Sequence, residues 1–211
     1  LLFFLYCENK DNRFLYLFFL SAVLGVLTKS VSAMLFMPAI AIYGIYRGQT
    51  ITLLTNKHFY FSLLMFIGIV AGYYTLREHY NPGYIQAVID NELGGRYLHT
   101  IEGHEWPYWF YLDQIIEHHF TAWYLFVPCG FVTGLFINNK KIRRLTVFTS
   151  VMIVTYFLII SGAETKIFWY DLPLYPFLSI LVAVFIHFVF TAMEEATWIE
   201  KPTMKMLAPM L

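Results

Sequence analysis

From Leu174 to Met193 the chain runs through twenty residues without a single Asp, Glu, Lys or Arg. Three more stretches, Phe59–Leu76, Phe120–Ile137 and Leu145–Ser161, are equally free of charge. A bilayer crossing takes about 17–25 mostly apolar residues. In hydrocarbon every backbone N–H and C=O must be satisfied within the protein, which leaves helices and closed barrels as the only options. Unbroken apolar runs, without the alternation of a barrel strand, select helices. The expected fold is therefore all-α, a multispanning transmembrane helix bundle. Composition agrees: 59% of residues are hydrophobic, 20% aromatic and 13% charged, against about 25% charged in soluble domains.

Two further runs complete the expected set. Ser30–Tyr46 is adequate in length, and Phe14–Leu27 is short, with Thr28–Lys29–Ser30 interrupting it before the next run. Two short helices joined at Lys29 is one reading, and a long bent hydrophobic pair is another. About six spans result, with kinks expected at Pro38 and Pro128. The chain reads as one membrane domain over 1–211. Membrane segments occupy 13–76 and 120–193, an external segment 77–119, and a cytoplasmic tail 194–211. The opening "LLFFLY", without Met, reads as the inside of an earlier span, so the chain is expected to be a fragment of a larger membrane protein.

Basic residues orient the bundle, because cytoplasmic loops are enriched in Lys and Arg. Placing "NKKIRR" (Asn139–Arg144) inside also puts Lys10, Arg13, Arg47, Lys57, Lys201 and Lys205 inside. Lys29, Arg77, Arg96 and Lys166 fall outside, beside nine acids, most of the histidines and the long segment from Arg77 to His119. In that segment Gly94–Gly95 reads as a turn. "WPYWFYLDQIIEHH" reads as an amphipathic helix at the membrane interface. Chemistry is expected on this external face. Zero formal net charge gives no footprint for nucleic acid, and two cysteines, Cys7 and Cys129, with the second inside an apolar run, do not make a disulfide framework.

Lys166 is unexpected on the side where positive charge is disfavoured, and Tyr170 follows four residues later. An ammonium and a phenol brought to one point would suit a phosphate oxygen; a lysine snorkelling to the headgroups is the plainer alternative. Lys29 lies between apolar runs with no carboxylate within a turn, and such a charge needs water, headgroups or an anion. Arg96 could clamp an anion or pair with Glu92 at i,i+4. His118 and His119 are adjacent, and His99 and His104 are five apart. These are poor chelating spacings on a helix, so a divalent metal is not indicated. Asp113 and Glu117 share a helix face, best read as a solvated acidic surface.

Three stretches together resemble one family. "LGVLTKS" (Leu24–Ser30) resembles an L-x-x-L-T-K-G junction. "GRYLHTIEGHEWPYWFYL" (Gly95–Leu112) resembles an R-[FY] followed by H-x-x-P-[FY]-W-[YF]-Y. "KIFWYDLPLYP" (Lys166–Pro176) resembles K-x-x-x-Y-x-L-P-x-x-P. The family is that of the GT-C membrane glycosyltransferases, related to protein O-mannosyltransferases (glycosyltransferase family 39) and to the aminoarabinose transferase of lipid A. The resemblance implies a polyprenyl-phosphate-linked sugar as donor, membrane lipids around it, and a protein, lipid or glycan acceptor on the extracytoplasmic side of a bacterial inner membrane. Transfer would be an inverting displacement. Lys29, Lys166 and Tyr170 become the donor-phosphate residues, with Arg96, His104, Tyr108 and Tyr111 around the same cavity. Ser30 stands where the family has glycine. The family's acidic general base has no counterpart here, so the catalytic residue is expected upstream of this sequence. A transporter or lipid flippase is the alternative; it predicts inverted repeats and mid-membrane charges, and neither is visible.

Overall fold

The computed structural model describes residues 1–90 and 106–195. Among them the architecture is all-α, with no strand. The elements are α1 (Leu2–Asn9), α2 (Asn12–Lys29), a 3-10 segment (Ser30–Phe36), α3 (Met37–Tyr46), α4 (Thr50–Leu54), α5 (Lys57–Tyr80) and α6 (Tyr84–Val88). After residues 91–105 come α7 (Phe110–Asp113), continued by a π-helical turn Gln114–His119, then α8 (Phe126–Phe136), α9 (Lys140–Ser161), a 3-10 turn Leu172–Leu174 and α10 (Tyr175–Glu195). Four stretches are long and apolar enough to cross a membrane: Asn12–Tyr46, Lys57–Tyr80, Lys140–Ser161 and Leu172–Glu194. The protein is thus built for a bilayer.

The first of these stretches is not a straight rod. A methyl group placed on Gly25 would stand 3.1 Å from Cβ of Ala33, whereas residues eight apart on a helix are separated by about 12 Å along its axis. The chain therefore folds back between α2 and the 3-10 segment. Its reversal is at Ser30, whose φ of 55° and ψ of −147° end α2. Lys29 closes one arm and Ser30 opens the other, which decides between the two readings of this region in favour of two arms.

Neither proline falls mid-helix, where a kink was expected. Pro38 is the second residue of α3 and Pro128 the third of α8. In a first turn the missing N–H has no intrahelical acceptor to lose, so proline starts a helix there without bending it. Phe120–Ile137 is correspondingly shorter than expected of a span: residues 121–125 form turns, and the helix covers only Phe126–Phe136. The aromatic segment also becomes helical late, at Phe110, leaving Trp106, Tyr108 and Trp109 exposed before it.

Packing joins α8, α9 and α10 most closely. Gly130 and Gly134, one turn apart, let α8 approach its neighbours. A Cβ on Gly130 would fall 1.9 Å from the carbonyl oxygen of Leu181, and one on Gly134 would fall 2.2 Å from Oγ1 of Thr146. With no hydrophobic drive between helices in lipid, such small-residue contact is what holds them together. In contrast α5 packs on α2 and leaves most of its length open, with only Ser62 buried.

The basic end is pinned by polar contacts. Glu8, buried on α1, accepts from Arg47 Nη2 at 3.0 Å and Arg144 Nη1 at 2.9 Å. Lys10 bonds Gln49, and Asn56 Nδ2 donates to Asn12 Oδ1 at 2.8 Å and Tyr6 Oη at 3.2 Å. The starts of α2, α5 and α9 and the end of α3 thus share one end of the bundle.

The glycine contacts predict opposite outcomes for one substitution at two sites. Gly130→Ala forces Cβ against a backbone oxygen and should cost about 1–3 kcal/mol. Gly68→Ala on α5, where nothing lies within 4 Å, should be neutral or stabilising by up to about 1 kcal/mol. Thermal unfolding of both variants in detergent checks the pair.

Candidate functional site

At the end opposite the Glu8 clamp, the elements leave a cavity of about 740 Å³. Its floor is the reversal itself, from Val26 to Phe36. One wall comes from the end of α5 and the start of α6, through Tyr73 and Tyr84. The other comes from the end of α9 and the loop after it, through Tyr156, Thr165, Trp169 and Tyr170. An exposed lysine at its edge, several hydroxyls and a ring of aromatic groups make a mouth that is cationic and amphipathic.

Ser30 fixes this floor. A φ of 55° with ψ near −147° is a region that glycine occupies freely and an L side chain only under strain. The serine is held there by a 2.7 Å hydrogen bond between its Oγ and the Tyr74 hydroxyl of α5. That bond ties the floor to one wall. Tyr84 is held in turn by Arg77, whose guanidinium lies 4.9 Å from the Tyr84 ring centre and 5.9 Å from that of Tyr73. The Glu78 carboxylate accepts from the backbone N–H groups of Gly83 and Ile85, each at 2.8 Å, which shapes the turn presenting Tyr84. Arg77, Tyr73 and Tyr84 were not singled out by their local sequence.

Lys29 and Tyr170 both line the cavity, Lys29 from its floor and Tyr170 from a wall. Lys166 does not. Its side chain is turned inward, 5% exposed, and Nζ donates to the carbonyl oxygen of Ala163 at 2.8 Å. Ala163 itself lines the cavity, so the ammonium lies one layer behind the wall. Desolvation holds this lysine below the ordinary lysine range, with Glu164 opposing the shift. No carboxylate contacts it within salt-bridge distance among the described residues. The pairing of Lys166 with Tyr170 at one point, suggested by their spacing, is replaced by an arrangement in layers.

Tyr111 is structural. Its hydroxyl donates to Ile167 O and accepts from Ile167 N, both at 3.1 Å, so one phenol pins the loop that follows Lys166. Burial raises its pKa above the usual tyrosine value. Tyr156 anchors the same loop further on, donating to Tyr170 O at 3.1 Å while its ring stacks on Phe36 at 4.3 Å. Tyr108 is exposed and meets Trp109 edge-on rather than facing the cavity. Arg96 and His104 lie outside the described residues, as do His99 and the Gly94–Gly95 turn.

A second cluster escapes sequence reading altogether. Asp171 is fully buried, and its Oδ2 accepts from the Tyr175 hydroxyl and stands 3.2 Å from His119 Nδ1. His119 comes from the π-helical turn, 52 residues earlier, so spacing carried no sign of it. The cluster locks the turn before α8 to the loop that carries Tyr170 and Trp169. Among the described residues Asp171 Oδ1 has no hydrogen-bond partner. Among the described residues, no group of three His, Cys, Asp or Glu side chains is placed to hold a metal ion.

Comparison with family models, curated proteins and solved structures yields no match for this chain.

Two outcomes follow from this geometry. Ser30→Ala loses the Tyr74 bond but keeps the strain, and should cost about 0.5–1.5 kcal/mol. Ser30→Gly loses the bond but relieves a strain of about 1–3 kcal/mol, so it should be the more stable of the two variants in thermal unfolding. For Lys166, a folded-state pKa below the unfolded one means the unfolded chain binds more protons across the interval between them. Stability therefore rises with pH through that interval, up to the unfolded value of about 10.4, and Lys166→Met should abolish the rise. Denaturation midpoints of parent and variant across alkaline pH measure it.

Proposed function

We propose that this chain forms the donor-binding part of an integral-membrane glycosyltransferase, which moves a sugar from a polyprenyl phosphate to an extracytoplasmic acceptor. The observation that carries the reading is the strained Lys29–Ser30 reversal at the floor of a cavity walled by Tyr170. It sets a cation beside hydroxyls and aromatic rings, at the end of the bundle away from the basic cluster. Two of the three motif resemblances, Leu24–Ser30 and Lys166–Pro176, contribute lining residues to this cavity.

The chemistry needs charge stabilisation at the leaving group. As the acceptor oxygen attacks the anomeric carbon, the glycosidic C–O bond breaks and polyprenyl phosphate departs with the bonding pair. The acceptor's proton passes to a base. Negative charge on the phosphate grows through this step, and cations already in place stabilise it without reorganising. Lys29 is positioned to contact the phosphate directly, with the hydroxyls of Ser30 and Tyr170 as neutral donors. Lys166 acts from behind the wall, either through its field or after turning outward. A buried ammonium lacking a carboxylate is expensive to keep, which favours a functional reason for it. Aromatic faces at Trp169, Tyr73 and Tyr84 suit the sugar ring or the first isoprene units. The transporter alternative is less favoured because the second cavity, at the basic end, has no charged lining residue.

The test supplies radiolabelled polyprenyl-phosphate sugar to the full-length protein in membranes. Lys29→Gln and Lys166→Met should each lower the transfer rate about 100-fold or more. Lys166→Met should leave thermal stability at neutral pH equal or higher. Transfer at the parent rate in both variants would sink the assignment, and substrate translocation without transfer would favour the transporter.

A further inference from the structure

The larger cavity is surrounded by three cations, each from a different part of the chain. Lys29, at the end of α2, belongs to its lining. The Arg77 guanidinium, near the end of α5, lies 4.9 Å from the ring centre of Tyr84 and 5.9 Å from that of Tyr73, and both rings line the cavity. Lys166, in the loop after α9, donates through Nζ to the carbonyl oxygen of Ala163, another lining residue. One charge thus stands in the lining itself, and the other two touch residues that form it.

The acids nearby are committed elsewhere. Among the described residues the lining contains no Asp or Glu, and no carboxylate stands within salt-bridge distance of Lys29, Arg77 or Lys166. Glu78 accepts from the backbone N–H groups of Gly83 and Ile85, and Asp90 accepts from Gln86 Nε2 at 2.8 Å. Asp171 is buried against the Tyr175 hydroxyl, while Glu164 is exposed and outside the lining. A phosphodiester brings one negative charge into this surround. Three cations exceed it, and the excess acts on whatever group the phosphate carries. Aromatic faces could hold an ammonium without a carboxylate, but Tyr73 and Tyr84 already carry the Arg77 guanidinium.

We propose that the cavity selects its donor by the charge of the sugar: a sugar acid is favoured, a neutral sugar is accepted and an ammonium sugar is disfavoured. Arg77 sets this selectivity at the wall formed by Tyr73 and Tyr84. The inference rests on the reading of this cavity as the donor site, and adds to it the class of sugar that the site takes.

The experiment places the full-length protein in phosphatidylcholine nanodiscs and measures binding without turnover. Three polyprenyl-phosphate sugars that differ in one substituent, a carboxylate, a hydroxyl or an ammonium, compete with a labelled neutral donor. Affinity should fall in that order, with the hydroxyl donor ahead of the ammonium donor by about tenfold at low salt and by less as salt rises. Arg77→Gln should shrink this ratio about threefold, and Arg77→Lys, which keeps the charge, should restore it. A merely structural loss at the Tyr84 turn would weaken all three donors alike and leave the ratio where it was. Any other order of the three donors, or a ratio unmoved by Arg77→Gln, would overturn the proposal. Failure of all three to bind would remove it together with the donor-site reading, whereas charge-ranked binding without transfer would sink the transferase reading alone.

Discussion

The reversal at Lys29–Ser30 governs the arrangement of the rest. Two apolar arms joined without a soluble loop must turn within one or two residues, and the backbone does so through a positive φ at a residue with a side chain. That geometry costs free energy. It also brings Gly25 against Ala33, sets the floor of the larger cavity and directs Lys29 to its edge. Tyr74 compensates the strain from α5, a helix that otherwise touches the bundle mainly along α2. One hydrogen bond at the strained residue thus couples the loosest helix to the turn where the candidate chemistry sits.

The two ends of the bundle are stabilised differently. At the basic end the Glu8 carboxylate joins two guanidinium groups from distant parts of the chain. At the other end the loop from Ala163 to Tyr175 is held by phenols bonded to backbone: Tyr111 at Ile167 and Tyr156 at Tyr170. Among the described residues, Lys166 and one oxygen of Asp171 are left short of partners there. Buried polar groups that the fold does not complete are costly, and among the described residues others stand at the basic end, Tyr43 Oη and Arg47 Nε, and along α9 at Thr149, Ser150 and Ser161. An ion-pair clamp and a loop pinned by phenols thus hold opposite ends of the same helices.

Much of this was legible in the sequence. Charge-free runs at Phe59–Leu76, Leu145–Ser161 and Leu174–Met193 correspond to long helices, because hydrophobic length alone decides what can span a bilayer. The break at Lys29 was visible as polar residues between apolar runs, although its positive φ was not. Phe120–Ile137 misled because hydropathy does not register that proline at 128 starts a helix rather than bending one. The site was legible only in part. Lys29 and Tyr170 could be named from local pattern, but the inward turn of Lys166 depends on an acceptor at Ala163 that spacing cannot reveal. The contacts of His119 with Asp171 and of Glu8 with Arg144 join residues 52 and 136 positions apart. No periodicity encodes such pairs.

The position of Lys166 constrains how any anion could be held. A lysine pointing into open solvent would bind phosphate as a screened point charge, weakly and at all times. A desolvated ammonium one layer behind the wall acts through lower-dielectric surroundings, where the same charge is felt more strongly. It is also poorly satisfied by a single backbone carbonyl. An anion reaching the Ala163–Thr165 side of the cavity would supply a counter-charge to this ammonium, so binding would offset the cost of its burial. Lys29, exposed at the edge, can attract such an anion first. In the proposed donor site the two lysines would take successive tasks, capture at the edge and stabilisation within, with the strained turn at Ser30 beside the first.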